Sequence, residues 1–128
     1  MNISELCTLV HLAGEIASQR QLMAICYLLK LSPCQWRDGG PRSDQVIGLL
    51  SIAIDSGLLA ETQVDGFCRY HLTAAGSHYL FQNGYALALD TPRTQRLLVA
   101  PLNLLERAAL VQRDYSENLD SILELLRD

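Results

Sequence analysis

The stretch DSGLLAETQVDGFCRYHLTAAG, residues 55–76, decides the fold. Asp65-Gly66 at its centre is a strong two-residue turn signal, and the runs 58–64 and 67–72 on either side of it predict the two strands of a β-hairpin. A type I′ turn places residues of the two strands directly opposite each other. The cross-strand pairs expected from that turn are Leu59 with Leu72 and Glu61 with Tyr70.

Helices are expected on both sides of this hairpin. Ser43 is a good N-cap for a helix over residues 44–56, and Gly57 is the glycine expected just after its end. Beyond the hairpin, Thr73 is expected to cap a helix that runs to about Asn83. The buried stripe predicted for the helix before the hairpin consists of Val46, Ile47, Leu50, Ala53 and Ile54.

Apolar residues at helical spacing predict helices towards both ends of the chain. Ser18 is expected to cap the second helix, which Ser32-Pro33 ends. Further along, Thr91-Pro92 begins a helix, Pro101 restarts it, and Ser116 caps the last one. Before the helix and hairpin described above, the predicted elements are a helix over 3–17, a helix over 18–31 and a loop over 33–41.

This order of elements resembles that of a winged helix-turn-helix. Within the quoted stretch, Gly57-Leu58-Leu59 before the turn and Tyr70-His71-Leu72-Thr73 with Gly76 after it resemble the "GLL–wing–YxLTxxG" signature of the PadR and MarR families. The resemblance covers about residues 1–80. It implies a mainly α protein with a small β-hairpin, in which a winged helix-turn-helix is followed by C-terminal helices.

A second resemblance is to small YwgA-like winged-helix proteins. Arg20-Gln21-Leu22 and Tyr27-Leu28-Leu29 are similar to a helix of that family, and Gly40-Pro41-Arg42-Ser43 is similar to its "Y-G-P-Y-S" entry into the third helix. The chain departs from the family at Met23-Ala24, where the family has Gln-Lys, and at Gly39 and Arg42, where it has tyrosines. We expect a winged-helix domain over 1–84 and a C-terminal helical extension over 85–128.

The winged-helix resemblance implies a DNA-binding transcriptional regulator in which the third helix enters the major groove and the wing touches the backbone or minor groove. Gln45 can pair with adenine and Ser51 with either base, while Arg42 can bind a phosphate. Gln63 and Arg69 are the contacts available on the hairpin. These five residues are the candidate DNA-binding set.

The charge of the chain opposes that reading. The formal net charge is −4, and the segment from residue 35 to residue 72 contains three basic and five acidic residues. A protein binds DNA largely through its own positive charges, which displace counterions from the phosphates. The alternative is therefore a winged-helix module of adaptor or antitoxin-like type that binds a protein and does not bind DNA.

An apolar stripe near the end of the chain is the best sign of self-association. A short helix is marginal alone and must bury such a stripe, either on its own chain or against a second copy. We expect a homodimer formed through this stripe. Its residues are Leu119, Ile122, Leu123 and Leu126.

No catalytic, metal or cofactor site is expected. Cys68 and His71 are three residues apart on a strand, so their side chains point to opposite faces and cannot bind one ion. His71 and His78 lie on either side of a strand-to-helix junction, and no fourth metal ligand is near them. The chain is therefore not expected to be an enzyme. No apolar run reaches the roughly 20 residues of a membrane span, and unpaired cysteines favour a reducing compartment. The expected location is cytoplasmic.

Overall fold

Helices dominate the structure, a computed structural model that describes residues 1–115 and 118–125. The expected mainly helical chain with a small β-hairpin and C-terminal helices is confirmed. The helices are α1 (Ile3–Ala13), α2 (Gln19–Leu28), α3 (Asp44–Asp55), α4 (Ala74–Tyr79), α5 (Pro92–Val99), α6 (Leu102–Tyr115) and α7 (Leu119–Leu125). The strands form two antiparallel hairpins, β1 (Gln35–Arg37) with β2 (Gly40–Arg42) and β3 (Leu59–Val64) with β4 (Phe67–Leu72). A π-helical turn, Leu80–Gly84, continues α4, and a 3₁₀ turn, Leu87–Leu89, precedes α5.

The predicted helix starts are confirmed wherever the structure describes them. Side-chain oxygens of Ser18, Ser43, Thr73 and Thr91 each accept a backbone N–H from the first turn of the following helix, at 3.0–3.2 Å. Each of these bonds satisfies a donor that the helix itself leaves unpaired. The predicted cap Ser116 lies outside the described residues. The Oδ1 of Asn118 accepts from the N–H of Ser121 at 2.9 Å, just before α7.

The first two helices are shorter than predicted. Helix α1 ends at Ala13 because Gly14 takes a left-handed backbone (φ 76°), and its N–H donates to the carbonyl of His11. Ile16, which the helical spacing had placed in the same helix, is instead extended and pairs with Tyr70 of β4 through two backbone bonds of 3.0 and 2.9 Å. Helix α2 ends at Leu28, three residues before the predicted end.

The loop predicted over residues 33–41 contains a hairpin, which corrects that prediction. The strands β1 and β2 are joined by Asp38-Gly39, whose φ angles of 52° and 80° are those of a type I′ turn. Trp36 of β1 packs edge-on against Tyr27, and the Arg113 guanidinium lies 4.2 Å from the centre of its ring. The hairpin is therefore held against α2 and α6.

The hairpin β3–β4 has the predicted type I′ register. Leu59 pairs with Leu72, and Glu61 with Tyr70, across a turn in which Asp65 has a φ angle of 53°. Leu59 and Tyr70 are buried, whereas Glu61 is exposed. This face of the hairpin therefore passes from the core to solvent along the strands, and that transition positions the site described below.

Buried side chains from both ends of the chain form one cluster. Leu6 of α1 and Leu22 of α2 belong to the same cluster as Leu97 of α5 and Leu105 of α6. Helix α2 packs on α6, and α1 packs on α5. The C-terminal helices therefore share the core of the segment that precedes residue 84. Within α3, Val46, Leu50 and Ala53 are buried as predicted, but Ile47 is exposed, which corrects its place in the stripe.

Candidate functional site

Helix α3 presents one side to the core and the opposite side to solvent. We call its exposed residues the α3 face: Asp44, Gln45, Ile47, Gly48, Ser51, Ile52 and Asp55. Helical periodicity places them on one continuous arc. The described residues of this arc include no cation, two carboxylates and two exposed isoleucines. Such a surface is apolar and acidic.

Arg42, the predicted phosphate ligand, is engaged within the chain. Its side chain is only 13% exposed and lies 3.7 Å from a carboxylate oxygen of Glu106. Its guanidinium also donates to the carbonyls of Pro41 and Asp38, at 2.9 and 3.1 Å. The same Glu106 carboxylate accepts two bonds of 2.8 Å from Arg20. Arg42 is therefore part of a cluster that ties β2 and α2 to α6.

The other two arginines between residues 35 and 72 also face carboxylates. Arg69 of β4 donates to Glu15 at 2.7 Å, and Arg37 of β1 donates to Asp44 at 3.3 Å. No carboxylate on the α3 face or hairpin other than that of Asp44 forms an ion pair with a described residue. The carboxylates of Asp55, Glu61 and Asp65 therefore leave this region with excess negative charge.

The three polar candidates lie on two elements, Gln45 and Ser51 on α3 and Gln63 on the hairpin. Gln45 accepts a bond of 3.4 Å from the amino group of Met1, and Ser51 is exposed on the α3 face. Gln63 lies opposite Cys68 on the side of the hairpin that carries Tyr70, and its amide approaches the Cys68 sulfur at 3.7 Å. Arg69 follows Cys68 directly, so it projects from the other side of the hairpin.

A groove opens where α3 meets the hairpin, and its volume is about 260 Å³. Two of its lining residues, Glu61 and Tyr70, form a cross-strand pair, and Ser51 and Asp55 are one helical turn apart on α3. The complete lining is Gln19, Ile47, Leu50, Ser51, Ile54, Asp55, Glu61 and Tyr70. Among the described residues that line it, none is a cation. We call this cavity the α3–hairpin groove.

Of the residues that line this groove, only Ser51 was among the predicted site residues; Tyr70 was not. Its side chain is 1% exposed, yet its hydroxyl has no hydrogen-bond partner. Burial, with a contribution from the nearby Glu61 carboxylate, raises the pKa of Tyr70, so the phenol stays neutral near pH 7. The register prediction, which pairs Tyr70 with Glu61, was the available signal for this position.

Two of the four cysteines, Cys7 and Cys26, are buried in the core. All four cysteines are free thiols, and burial raises the pKa of Cys7 to about 11 and that of Cys26 to about 12. Such thiols are poor nucleophiles at neutral pH. Over residues 1–115 and 118–125, no group of three His, Cys, Asp or Glu side chains is arranged to hold a metal ion.

The stripe assigned to dimerisation lies largely inside its own chain. Leu119 and Ile122 are buried, and Leu123 is half-buried beside Leu97 and Leu105. Leu126 lies outside the described residues. The alternative in which the last helix folds back on its own chain therefore accounts for Leu119 and Ile122, because a buried side chain has no surface left for a second copy.

Comparisons with known proteins found no matching family model, no matching curated protein and no matching solved structure. A search of the described helices for a segment of sufficient length and apolarity to cross a bilayer found none.

Proposed function

We propose that this chain is a winged-helix protein whose α3 face binds another protein and does not bind DNA. The order of the helices and of the β3–β4 hairpin supports the winged-helix assignment, because it is the order that the resemblance implies. The backbone pairing of Ile16 with Tyr70 adds an extended residue beside the hairpin. The observation that carries the functional proposal is the excess of negative charge on this surface: each arginine between residues 35 and 72 has a carboxylate beside it, and further carboxylates have no ion-pair partner among the described residues.

Phosphate binding at this surface would need cations that the chain already uses. To reach a phosphate, Arg42 would have to leave Glu106 and two carbonyl groups. The pairs of Arg69 with Glu15 and of Arg37 with Asp44 are exposed and contribute about 1 kcal/mol or less each, so they oppose phosphate binding only weakly. Even then the carboxylates of Asp55 and Asp65 would face the DNA backbone. Counterion release supplies most of the affinity in non-specific DNA binding, and it requires free positive charge.

The same surface has features of a protein interface. Ile47 and Ile52 place two large aliphatic side chains in solvent on α3, and Ile52 is 55% exposed. Apolar side chains form the centre of a protein interface, while charged groups at the rim select the partner. Because the unpaired charges here are carboxylates, the fitting partner is a protein segment with apolar residues flanked by lysine or arginine.

The first test measures DNA binding directly. In low salt, fluorescence anisotropy of labelled, pooled genomic duplexes is expected to show no saturable binding up to about 10 µM protein, because the carboxylates of this surface outnumber its arginines. Tight binding that disappears in the Arg42→Ala, Arg69→Ala double variant would establish the DNA-binding alternative. The double variant needs a circular dichroism check, since Arg42 also supports the fold.

The second test selects peptides from a random displayed library on the immobilised chain. The selected peptides are expected to combine apolar and basic residues, and to lose at least about tenfold in affinity for Ile52→Asp, since truncating or charging a central interface residue has effects of that size. The matched control is Val99→Asp on α5, where an aliphatic side chain is 84% exposed. Peptides that tolerate Ile52→Asp but lose binding to Val99→Asp would place the interface elsewhere.

A further inference from the structure

We propose that the α3–hairpin groove receives an arginine side chain of the protein partner. This inference rests on the proposed function and names the residue that the groove selects. It draws on three independent features: carboxylates at the mouth, aliphatic walls, and an unpartnered hydroxyl.

The charge of the groove selects a cation. Asp55 reaches it from the last turn of α3 and Glu61 from β3, and neither carboxylate has an ion-pair partner among the described residues. Two carboxylates from different elements that border one small cavity both attract a cation placed between them. A basic side chain gains from both charges as it binds.

The walls of the groove suit a long aliphatic stem. Ile47, Leu50 and Ile54 line it from α3 at helical spacing, and Leu50 is buried. Arginine and lysine both lay an apolar stem along such surface while the charged end stays near polar groups. The aliphatic lining therefore favours a side chain attached to a partner protein over a small inorganic cation.

The Tyr70 hydroxyl is a buried polar group that lacks a hydrogen-bond partner. Buried hydroxyls without a partner are uncommon, because the missing bond destabilises the fold. Gln19 and Cys68 lie close enough to this hydroxyl to influence the pKa of Tyr70, and the Glu61 carboxylate acts on it through its charge, but none of the three meets hydrogen-bond geometry. Tyr70 lines the groove beside Gln19 and Glu61, which are both exposed.

A guanidinium matches this set of acceptors. It is planar and carries five N–H donors at fixed angles, whereas an ammonium is a point charge with three. The acceptors available to it are the Asp55 and Glu61 carboxylates, the Ser51 hydroxyl and the Tyr70 hydroxyl. Charge-assisted bonds to the carboxylates supply most of the affinity, and the two hydroxyls fix the orientation of the plane.

The test uses N-acetylarginine amide as the probe and N-acetylcitrulline amide as its uncharged control. In amide NMR spectra of the full chain, the arginine compound is expected to shift residues around the groove saturably, and the citrulline compound is not. Glu61→Gln is expected to weaken binding at least about tenfold, because it removes one charge-assisted partner. Asp65→Asn, at the exposed hairpin turn, is the matched control and is expected to leave binding unchanged.

Tyr70→Phe separates a binding role from a structural one. Removing an unpartnered buried hydroxyl is expected to leave the urea unfolding midpoint unchanged or higher, while arginine binding becomes several-fold weaker. A lower midpoint would mean that the hydroxyl is bonded inside the fold, which would overturn the inference. Equal binding by Tyr70→Phe and the wild type would overturn it as well.

The outcomes also separate this inference from the proposed function. Library peptides that lose affinity for Ile52→Asp but keep it for Glu61→Gln would uphold the proposed function and overturn the arginine site. Arginine binding in the groove, combined with peptides that ignore both variants, would make the groove a small-ligand site and overturn both. Support for both requires that selected peptides lose affinity for Glu61→Gln, and that replacing their arginine with citrulline has the same effect.

Discussion

Replacing Gly76 with alanine is expected to destabilise the chain by about 3 kcal/mol, the upper end of the range for overpacking. A Cβ at this position would overlap the backbone carbonyl oxygen of Leu58 and stand 2.6 Å from a methyl group of Leu72. The Leu58 carbonyl is held in place because it accepts the backbone N–H of Thr73 at 3.1 Å. Helix α4 would have to move away from the hairpin.

Urea unfolding followed by circular dichroism measures this effect, and Gly48→Ala is its control. No atom lies within 4 Å of a Cβ built at Gly48, which is exposed on α3. Alanine there is expected to stabilise the chain by about 0.5–1 kcal/mol, because it raises helix propensity. If Gly76→Ala had the same unfolding midpoint as the wild type, the close contact of α4 with the hairpin would be refuted.

Ile122→Ala is expected to lower the unfolding free energy by about 2–5 kcal/mol, as is usual for a large aliphatic side chain removed from a core. Ile122 is 0% exposed within the single chain and belongs to the common core cluster. The loss is therefore expected to be independent of protein concentration. Urea unfolding at two protein concentrations, with sedimentation to give the mass of each sample, checks both points.

Val99→Ala on α5 is the matched control for Ile122→Ala. It also shortens a β-branched side chain, but one that is 84% exposed, so a change within about 0.5 kcal/mol is expected. A midpoint for Ile122→Ala that recovers as protein concentration rises, with a dimer in the sedimentation profile of the wild type, would return α7 to the role of a dimer contact.

Local signals in the sequence predicted the starts of helices and the turn of the hairpin. Each capping residue acts on its own first turn, and Asp65-Gly66 determines its own backbone angles, so neither depends on distant contacts. The end of α1 was missed because the apolar spacing continues through Ile16. That residue is buried in the structure as well, but as an extended residue paired with Tyr70. At Ile16, backbone pairing with a distant strand therefore takes the place of another helical turn.

The hairpin between α2 and α3 was missed for another reason. Its strands, Gln35–Arg37 and Gly40–Arg42, have three residues each, too few to show a period of two. The turn Asp38-Gly39 carries the same signal as Asp65-Gly66, and it was available. A turn dipeptide is therefore informative even where the flanking runs are short.

The state of the candidate site residues could not be predicted from the sequence. Arg69 and its partner Glu15 are 54 residues apart, and Arg20 and Glu106 are 86 apart. A count of charges between residues 35 and 72 indicated an acidic surface but could not show that each of its arginines forms an ion pair with a carboxylate. The missing hydrogen bond of the Tyr70 hydroxyl depends on how α2, β3 and β4 pack together, which the sequence does not show.

The most direct test of the account is a map of the binding surface by amide NMR, with the library-selected peptide and a DNA duplex added to separate samples of the full chain. We expect the peptide to shift amides of α3 and β3 and to leave those of α5 near Val99 in place, while the duplex shifts none of them saturably. Peptide shifts confined to α5, α6 or α7, or saturable shifts of α3 on addition of DNA, would contradict the claim that the α3 face is a protein-binding surface.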